Sequence, residues 1–188
     1  MARSREFDAN VALDSAIGVF REHGFEGSSA QMLVEAMGIG RQSLYATFGD
    51  KWRLYLAAVR RYAMGECAAH LNALRSGPRA IDGIKAMLSR VVETAKEPCL
   101  GVGSICEFGT SHSDLTDVNA PFARTMREAI TARIRDAQQE GSIPSNLEPT
   151  AQADFLLANI AGIRVTGRGG ADRAMLTSLA GIAMKALQ

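Results

Sequence analysis

The side chains best suited to chemistry lie together between residues 28 and 51. Arg41, Gln42, Ser43, Tyr45 and Thr47 supply the donors and acceptors that bond to base edges and phosphates. Interleaved with them, Leu44 and Phe48 stand four residues apart, a spacing that puts both on one helical face and holds the helix on a core. Lys51 brings a cation to the start of the next helix, where free N–H groups also favour a phosphate. Polar groups on one face and two apolar anchors on the other are what a helix lying in a major groove requires. Pattern alone also fits two short helices of an ordinary helical domain.

Other candidate chemistries lack the geometry they need. His112, Ser113 and Asp114 are immediate neighbours, whereas a nucleophile, its base and its orienter assemble from distant parts of a chain. His23 closes a helix beside Gly24, and His70 has no partner at metal-ligand spacing. A Gly-rich phosphate loop of the Walker type is missing. No enzyme, metal or cofactor is therefore expected. The three cysteines, Cys67, Cys99 and Cys106, are odd in number and widely spaced, so they form no disulfide framework. With no basic neighbours and an apolar run around Cys99 and Cys106, they read as buried inert thiols, and a thiol sensing electrophiles is the alternative.

The elements that must position these groups are helical. Among the 188 residues 47% are hydrophobic but only 6% aromatic, a profile that suits helices packed through small side chains. Apolar residues recur with helical period over Asp8–His23, and Ser28 or Ser29 offers an N-cap for a short helix to about Ala36. Gly38 and Gly40 form the turn before Arg41–Phe48, and Asp50 caps a long helix from Lys51 toward Leu74. Further helices are expected over Arg79–Lys96, Val118–Glu140, from Pro149 to about Val165, and over Arg173–Leu187. Cys99–Phe108 reads as a buried loop entering a short helix, and Ser111–Asp117 as a polar loop. No sustained alternation marks a strand, so the fold class is all-α, with about nine helices.

The stretch Ala16-x-x-x-Phe20-x-x-x-Gly24-Phe25-x-x-x-Ser29, followed by Met37 through Lys51, resembles the DNA-binding domain of the TetR/AcrR family. The likeness covers roughly residues 8–60, and its most specific part is Ser43-Leu44-Tyr45-x-x-Phe48-x-x-Lys51. The resemblance implies a three-helix helix-turn-helix domain over residues 1–52, with its linking helix reaching about residue 75. It implies that Tyr45 and Lys51 contact phosphates and that Ser43 lies close to the backbone or a base. Arg41 and Gln42 would read bases, while Ser29 and Gln31 would add backbone contacts. Arg5 belongs to an arm before the first helix that resembles one subgroup. Gly40 departs from the usual Ser or Asn and leaves the recognition helix without a side-chain cap. Trp52 replaces the usual Glu and reads as a packing residue.

Residues 53–188 would then be a helical ligand-binding and dimerisation domain. Here the likeness is thinner, resting on Pro98-Cys99-Leu100 with Glu107 and on the stretch from Ala161 to Ala171. Residues 63–188 balance thirteen Lys/Arg against thirteen Asp/Glu, so this part is not expected to hold nucleic acid. A pocket among the central helices would draw on Met64, Leu88, Cys106, Phe108, Phe122, Met126, Ile130, Phe155 and Asn159, all of which also read as ordinary core. Leu157, Ile160, Ala161, Leu176, Leu179 and Ile182 on the last two helices are the candidates for a four-helix interface with a second copy. No apolar run approaches the roughly 20 residues that cross a bilayer, and the first residues lack the apolar core of a secretion signal. The expectation is a cytoplasmic homodimer that binds double-stranded operator DNA and is released from it by a small-molecule effector.

Overall fold

A computed structural model describes residues 7–188. Nine helices and no strand occur among the described residues. They are α1 (Ala9–His23), α2 (Ala30–Met37), α3 (Arg41–Phe48), α4 (Lys51–Leu74), α5 (Ala80–Thr94), α6 (Leu100–Phe108), α7 (Ser113–Gln139), α8 (Pro149–Arg168) and α9 (Arg173–Lys185). Two of these depart from the sequence reading. The run from Leu100 to Phe108 is helix throughout rather than a loop entering one. α7 begins at Ser113, so the polar stretch read as loop is its first turn, and Pro121 lies within the helix. Asp114 in that first turn explains the early start, because an acidic side chain is favoured by the positive end of a helix.

Contacts divide the chain into two compact units. One runs to Ala63 and takes in Cys99–Asn119; the other comprises Met64–Pro98 and Ala120–Gln188. In the first, Asp8 caps α1 by accepting from the N–H groups of Asn10 and Val11. Ala12, Ala16 and Phe20, four residues apart, then present one buried face. Phe20 meets Tyr55 of α4 edge-on at 5.0 Å, and Leu33, Met37 and Leu44 complete the support under α2 and α3. Burying a side chain such as Leu44, 1% exposed, contributes about 2 kcal/mol, enough to anchor a two-turn helix that would not form alone.

The second unit packs aliphatic side chains. α5 buries Ile81, Ile84, Met87, Leu88, Val91 and Val92. α7 adds Met126, Ile130 and Ile134 at helical spacing, α8 adds Leu156 and Ile163, and α9 adds Leu176, Ala180 and Ala183. At Gly167 of α8 a Cβ would stand 2.5 Å from the Ala95 carbonyl oxygen, so only glycine permits that approach of two backbones. Glu148 caps α8 through the Ala151 N–H, and Pro149 occupies its first turn. No helix among the described residues is long and apolar enough to cross a membrane.

Candidate nucleic-acid interface

The recognition element is built from its turns outward. Ser29 Oγ accepts from the Met32 N–H at 3.1 Å and starts α2. Gly38, in left-handed conformation at φ 64°, ends it and lets the chain turn into α3. As expected from Gly40, α3 has no side-chain cap. Its stability comes from Leu44 below and from Phe48, which packs on the same core.

What remains outside is the set read from the sequence. Arg41, Gln42, Tyr45 and Thr47 are exposed, and Ser43 is half-buried on the flank of the helix. Tyr45 keeps 40% of its surface, unusual for an aromatic residue with no structural neighbour to cover it. Ser29 and Gln31 are exposed on α2, where Gln31 donates to Glu35 at 2.6 Å. Arg5 lies outside the described residues. The structure therefore brings Arg41, Gln42, Ser43 and Tyr45 together on one short helix, with Ser29 and Gln31 on the helix before it and Lys51 on the helix after.

Asp50 caps α4 by accepting from the Arg53 N–H at 2.8 Å, which leaves Lys51 in its first turn. The Lys51 ammonium rests 4.3 Å from the centroid of the Phe25 ring, a cation–π distance. Phe25 is framed edge-on by Trp52 at 5.1 Å, by Tyr55 at 5.2 Å and by Phe108 at 5.8 Å. Trp52 packs as expected and also donates its indole N–H to Asp114 at 2.6 Å, which holds that carboxyl below the usual carboxylate range. His112 stacks against Trp52 at 4.5 Å, so His112 and Asp114 both serve this aromatic cluster rather than a triad with Ser113. The residue that sequence pattern assigned no role is Glu107 of α6, noted there only as part of a faint likeness. Its two carboxylate oxygens accept from the N–H groups of Phe25 and Glu26 at 2.9 and 2.8 Å. A carboxylate 82 residues away leaves no local signal in a sequence. The Tyr55 hydroxyl is buried without a partner, and burial, followed by the charge of Glu107, pushes its pKa up.

The pocket residues read from the sequence do not gather at one cavity. Cys106 and Phe108 belong to the first unit, where Cys106 is exposed and Phe108 packs on the aromatic cluster. In the second unit, Leu88, Met126 and Ile130 are core, Phe122 packs against that core, Asn159 is half-buried, and Met64 and Phe155 are exposed. A cavity of about 440 Å³ opens between α5 and α9 and takes only Leu88 from that set. Leu88, Val92, Ala180 and Met184 line it apolarly, with Lys85 and Arg173 as its cations. Its size falls in the range of small-molecule sites. Glycine at position 181 leaves open space where a side chain would otherwise project.

The second unit also buries an ionic cluster. Glu66 of α4 accepts from Arg90 of α5 at 2.7 Å and from Arg164 of α8 at 2.7 Å, with Arg164 only 4% exposed. Burial alone would raise the Glu66 pKa, but the Arg90 hydrogen bond and the charges of Arg164 and Arg90 hold it below its ordinary value. His70, one turn along α4, is buried and lowered to about 4 by desolvation and then by the Arg90 charge, so it is neutral at pH 7. Of the interface candidates, Leu157, Ile160, Ala161 and Leu179 are half-covered and Ile182 is 59% exposed. Leu176 departs from the expectation: it is 1% exposed because it faces the core of its own unit. Val165 and Met175, at 54% and 52% exposure, extend the apolar surface of α8 and α9 instead.

Comparison with known proteins places this geometry. Residues 12–58 match the sequence family described as bacterial regulatory proteins, tetR family. The chain is 30% identical to the HTH-type transcriptional repressor ComR of Escherichia coli (strain K12), over 97% of this chain and 90% of that one. An uncharacterized HTH-type transcriptional regulator of Bacillus subtilis (strain 168), YezE, is 40% identical over 98 residues, a match spanning 52% of this chain and half the length of that relative (50%). Among solved structures, a cysteine mutant of the TetR family transcriptional regulator CifR, complexed with 26-base-pair operator DNA, superposes with a TM-score of 0.86 at 26% identity, over 99% of this chain and 100% of that one.

Proposed function

The chain belongs to the tetR family of bacterial regulatory proteins, and from that premise we propose that it is an operator-binding repressor, acting as a homodimer and released by a small-molecule effector. The family consists of regulators of transcription rather than enzymes, and DNA binding follows from membership. The observation that carries the finer reading is the division of α3: Leu44 is 1% exposed beneath it, while Arg41, Gln42 and Tyr45 stand free above. Arg41 and Gln42 have the geometry to bond bidentately to guanine and adenine edges, and Tyr45 and Lys51 suit phosphate oxygens. ComR carries the name of a repressor and CifR was solved on operator DNA, which supports both the DNA partner and the sign of regulation.

A second copy is needed because a single short recognition helix reads too few bases to be specific. Two half-sites about one helical turn apart make a palindrome readable. The partly covered apolar surface of α8 and α9, with Ile182, Val165 and Met175 the most exposed, is the face we assign to it. For the effector we assign the second unit, whose α5–α9 cavity has the size and mixed lining of a ligand site. Binding there would favour head spacings that miss successive major grooves, a shift between existing conformations. A cytoplasmic location follows from the need to reach the chromosome. The test is selection of genomic fragments by the purified protein at fixed salt. An enriched palindrome is the expected result; a protein that is dimeric in the same buffer and enriches nothing contradicts operator binding by the free dimer.

A further inference from the structure

We infer that Glu107 is a positioning residue for DNA binding: it fixes Phe25, and through Phe25 the ammonium of Lys51. The inference rests on the reading that Lys51 meets a phosphate. It begins at the end of α1, where Gly24, at φ 68°, turns the chain and leaves the next two N–H groups pointing away from the helix they follow. One carboxylate satisfies both: Glu107 Oε2 accepts from Phe25 and Oε1 from Glu26. Each is a charge-assisted bond, stronger and more directional than a bond to a neutral acceptor. At Gly24 a Cβ would lie 2.9 Å from Glu107 Oε2, so the absence of a side chain there is what admits the carboxylate.

The backbone held in this way carries the ring of Phe25. Edges from Trp52, Tyr55 and Phe108 close around it, and the Lys51 ammonium lies over the ring. A lysine side chain is otherwise free over several rotors, and confining it near its phosphate lowers the entropy lost on binding. Glu107 therefore acts on DNA through two backbone bonds and a ring rather than by touching it. The sign of the effect separates this from simple electrostatics. Removing a negative charge from a DNA-facing unit should by itself strengthen binding, whereas loss of positioning weakens it.

The experiment uses the full-length protein and a fluorescein-labelled duplex of mixed sequence, with affinity measured across a salt series. Nonspecific binding is read almost wholly through phosphates, so no operator is required. K51Q is expected to lower the slope of log K against log salt by about 0.9, the contribution of one phosphate contact. E107Q is expected to weaken binding and flatten the slope by most of that amount, and the double variant E107Q/K51Q to be no flatter than K51Q alone. F25L, which keeps Glu107 and both N–H groups and removes only the ring, should flatten it as well; it decides the matter should E107Q fail to fold. An unchanged slope in E107Q or F25L beside a reduced one in K51Q overturns the positioning role and leaves the Lys51 reading intact. An unchanged slope in K51Q overturns the phosphate contact and this inference with it.

Discussion

The two compact units solve the same packing problem with different side chains. The first closes its core with rings: Phe20 on Tyr55, and Phe25 among Trp52, Tyr55 and Phe108, at centroid distances of 5.0 to 5.8 Å and steep angles. The second closes its core with Ile, Leu, Val, Met and Ala. Rings have few rotors and preferred angles, so they transmit position to the surface groups above them. Aliphatic side chains fill volume and tolerate exchange when the volume is kept. A surface that must match the spacing of phosphates calls for the first kind of core. A unit that must accept an effector and shift between packings is served by the second.

The most forceful way to break this comparison is to cut each core in its own style. Phe20→Ala is expected to destabilise the protein by about 3–5 kcal/mol, because it removes a ring that is 1% exposed and leaves a void beneath Tyr55. Ile84→Leu, equally buried but volume-conserving, should cost less than about 1.5 kcal/mol. Urea unfolding followed by the fluorescence of Trp52, the single tryptophan, reports on the first unit, and far-UV circular dichroism reports on both. Equal losses in the two variants would erase the distinction.

The second unit does hold one directional element, the cluster of Glu66, Arg90, Arg164 and His70, and pH probes it. The folded state keeps His70 neutral down to about pH 4, whereas the unfolded chain protonates near 6.5. The unfolded state therefore binds more protons within that window, and stability rises with pH across it. The contribution is complete above pH 6.5 and is lost as pH falls toward 4, on the order of 3 kcal/mol in all. H70Q should flatten the stability profile between pH 4 and 6.5. A profile as steep as that of the parent protein would mean that another group titrates there.

How much of this was legible beforehand follows the same division. Arg41, Gln42, Tyr45 and Lys51 could be placed on α3 and at the head of α4 because glycine turns, caps and period all act within a few residues. The start of α7 was missed because its first turn is polar and makes no stripe, and α6 was read as loop because its glycines obscured its period. Glu107 could not be given its role, since its partners Phe25 and Glu26 are about 80 residues distant. The cavity between α5 and α9 was missed for a related reason. Its lining combines residues such as Ser89 and Thr177, unremarkable on either helix and meaningful only once the helices meet.

A gentler change sharpens the comparison from the DNA side. Arg41→Ala removes an exposed side chain that supports no core, so folding should change by no more than about 0.5 kcal/mol. If Arg41 reads a base, affinity for a selected operator falls by about 1–3 kcal/mol, while affinity for a scrambled duplex falls much less. Titration of both duplexes at one salt concentration decides it. Equal losses on the two would assign Arg41 to phosphate instead.

The smallest effects belong to the cysteines, which sample both units. The apolar run around Cys106 suggested a buried thiol, but α6 is a helix with two faces. Leu100 and Ser104, four apart, turn inward, and Ile105 and Cys106 turn out. Cys67 is buried on α4, and burial pushes its thiol pKa up, which lowers the thiolate fraction. Brief treatment of the folded protein with iodoacetamide should therefore label Cys106 first, half-buried Cys99 more slowly and Cys67 last. C106S should leave stability within about 0.5 kcal/mol, whereas C67S places a hydroxyl in an apolar core and should cost about 1–3 kcal/mol. Early labelling of Cys67 would show that the second unit opens locally more often than its close-packed core implies, and would make its looseness, rather than its composition, the ground of the contrast with the first.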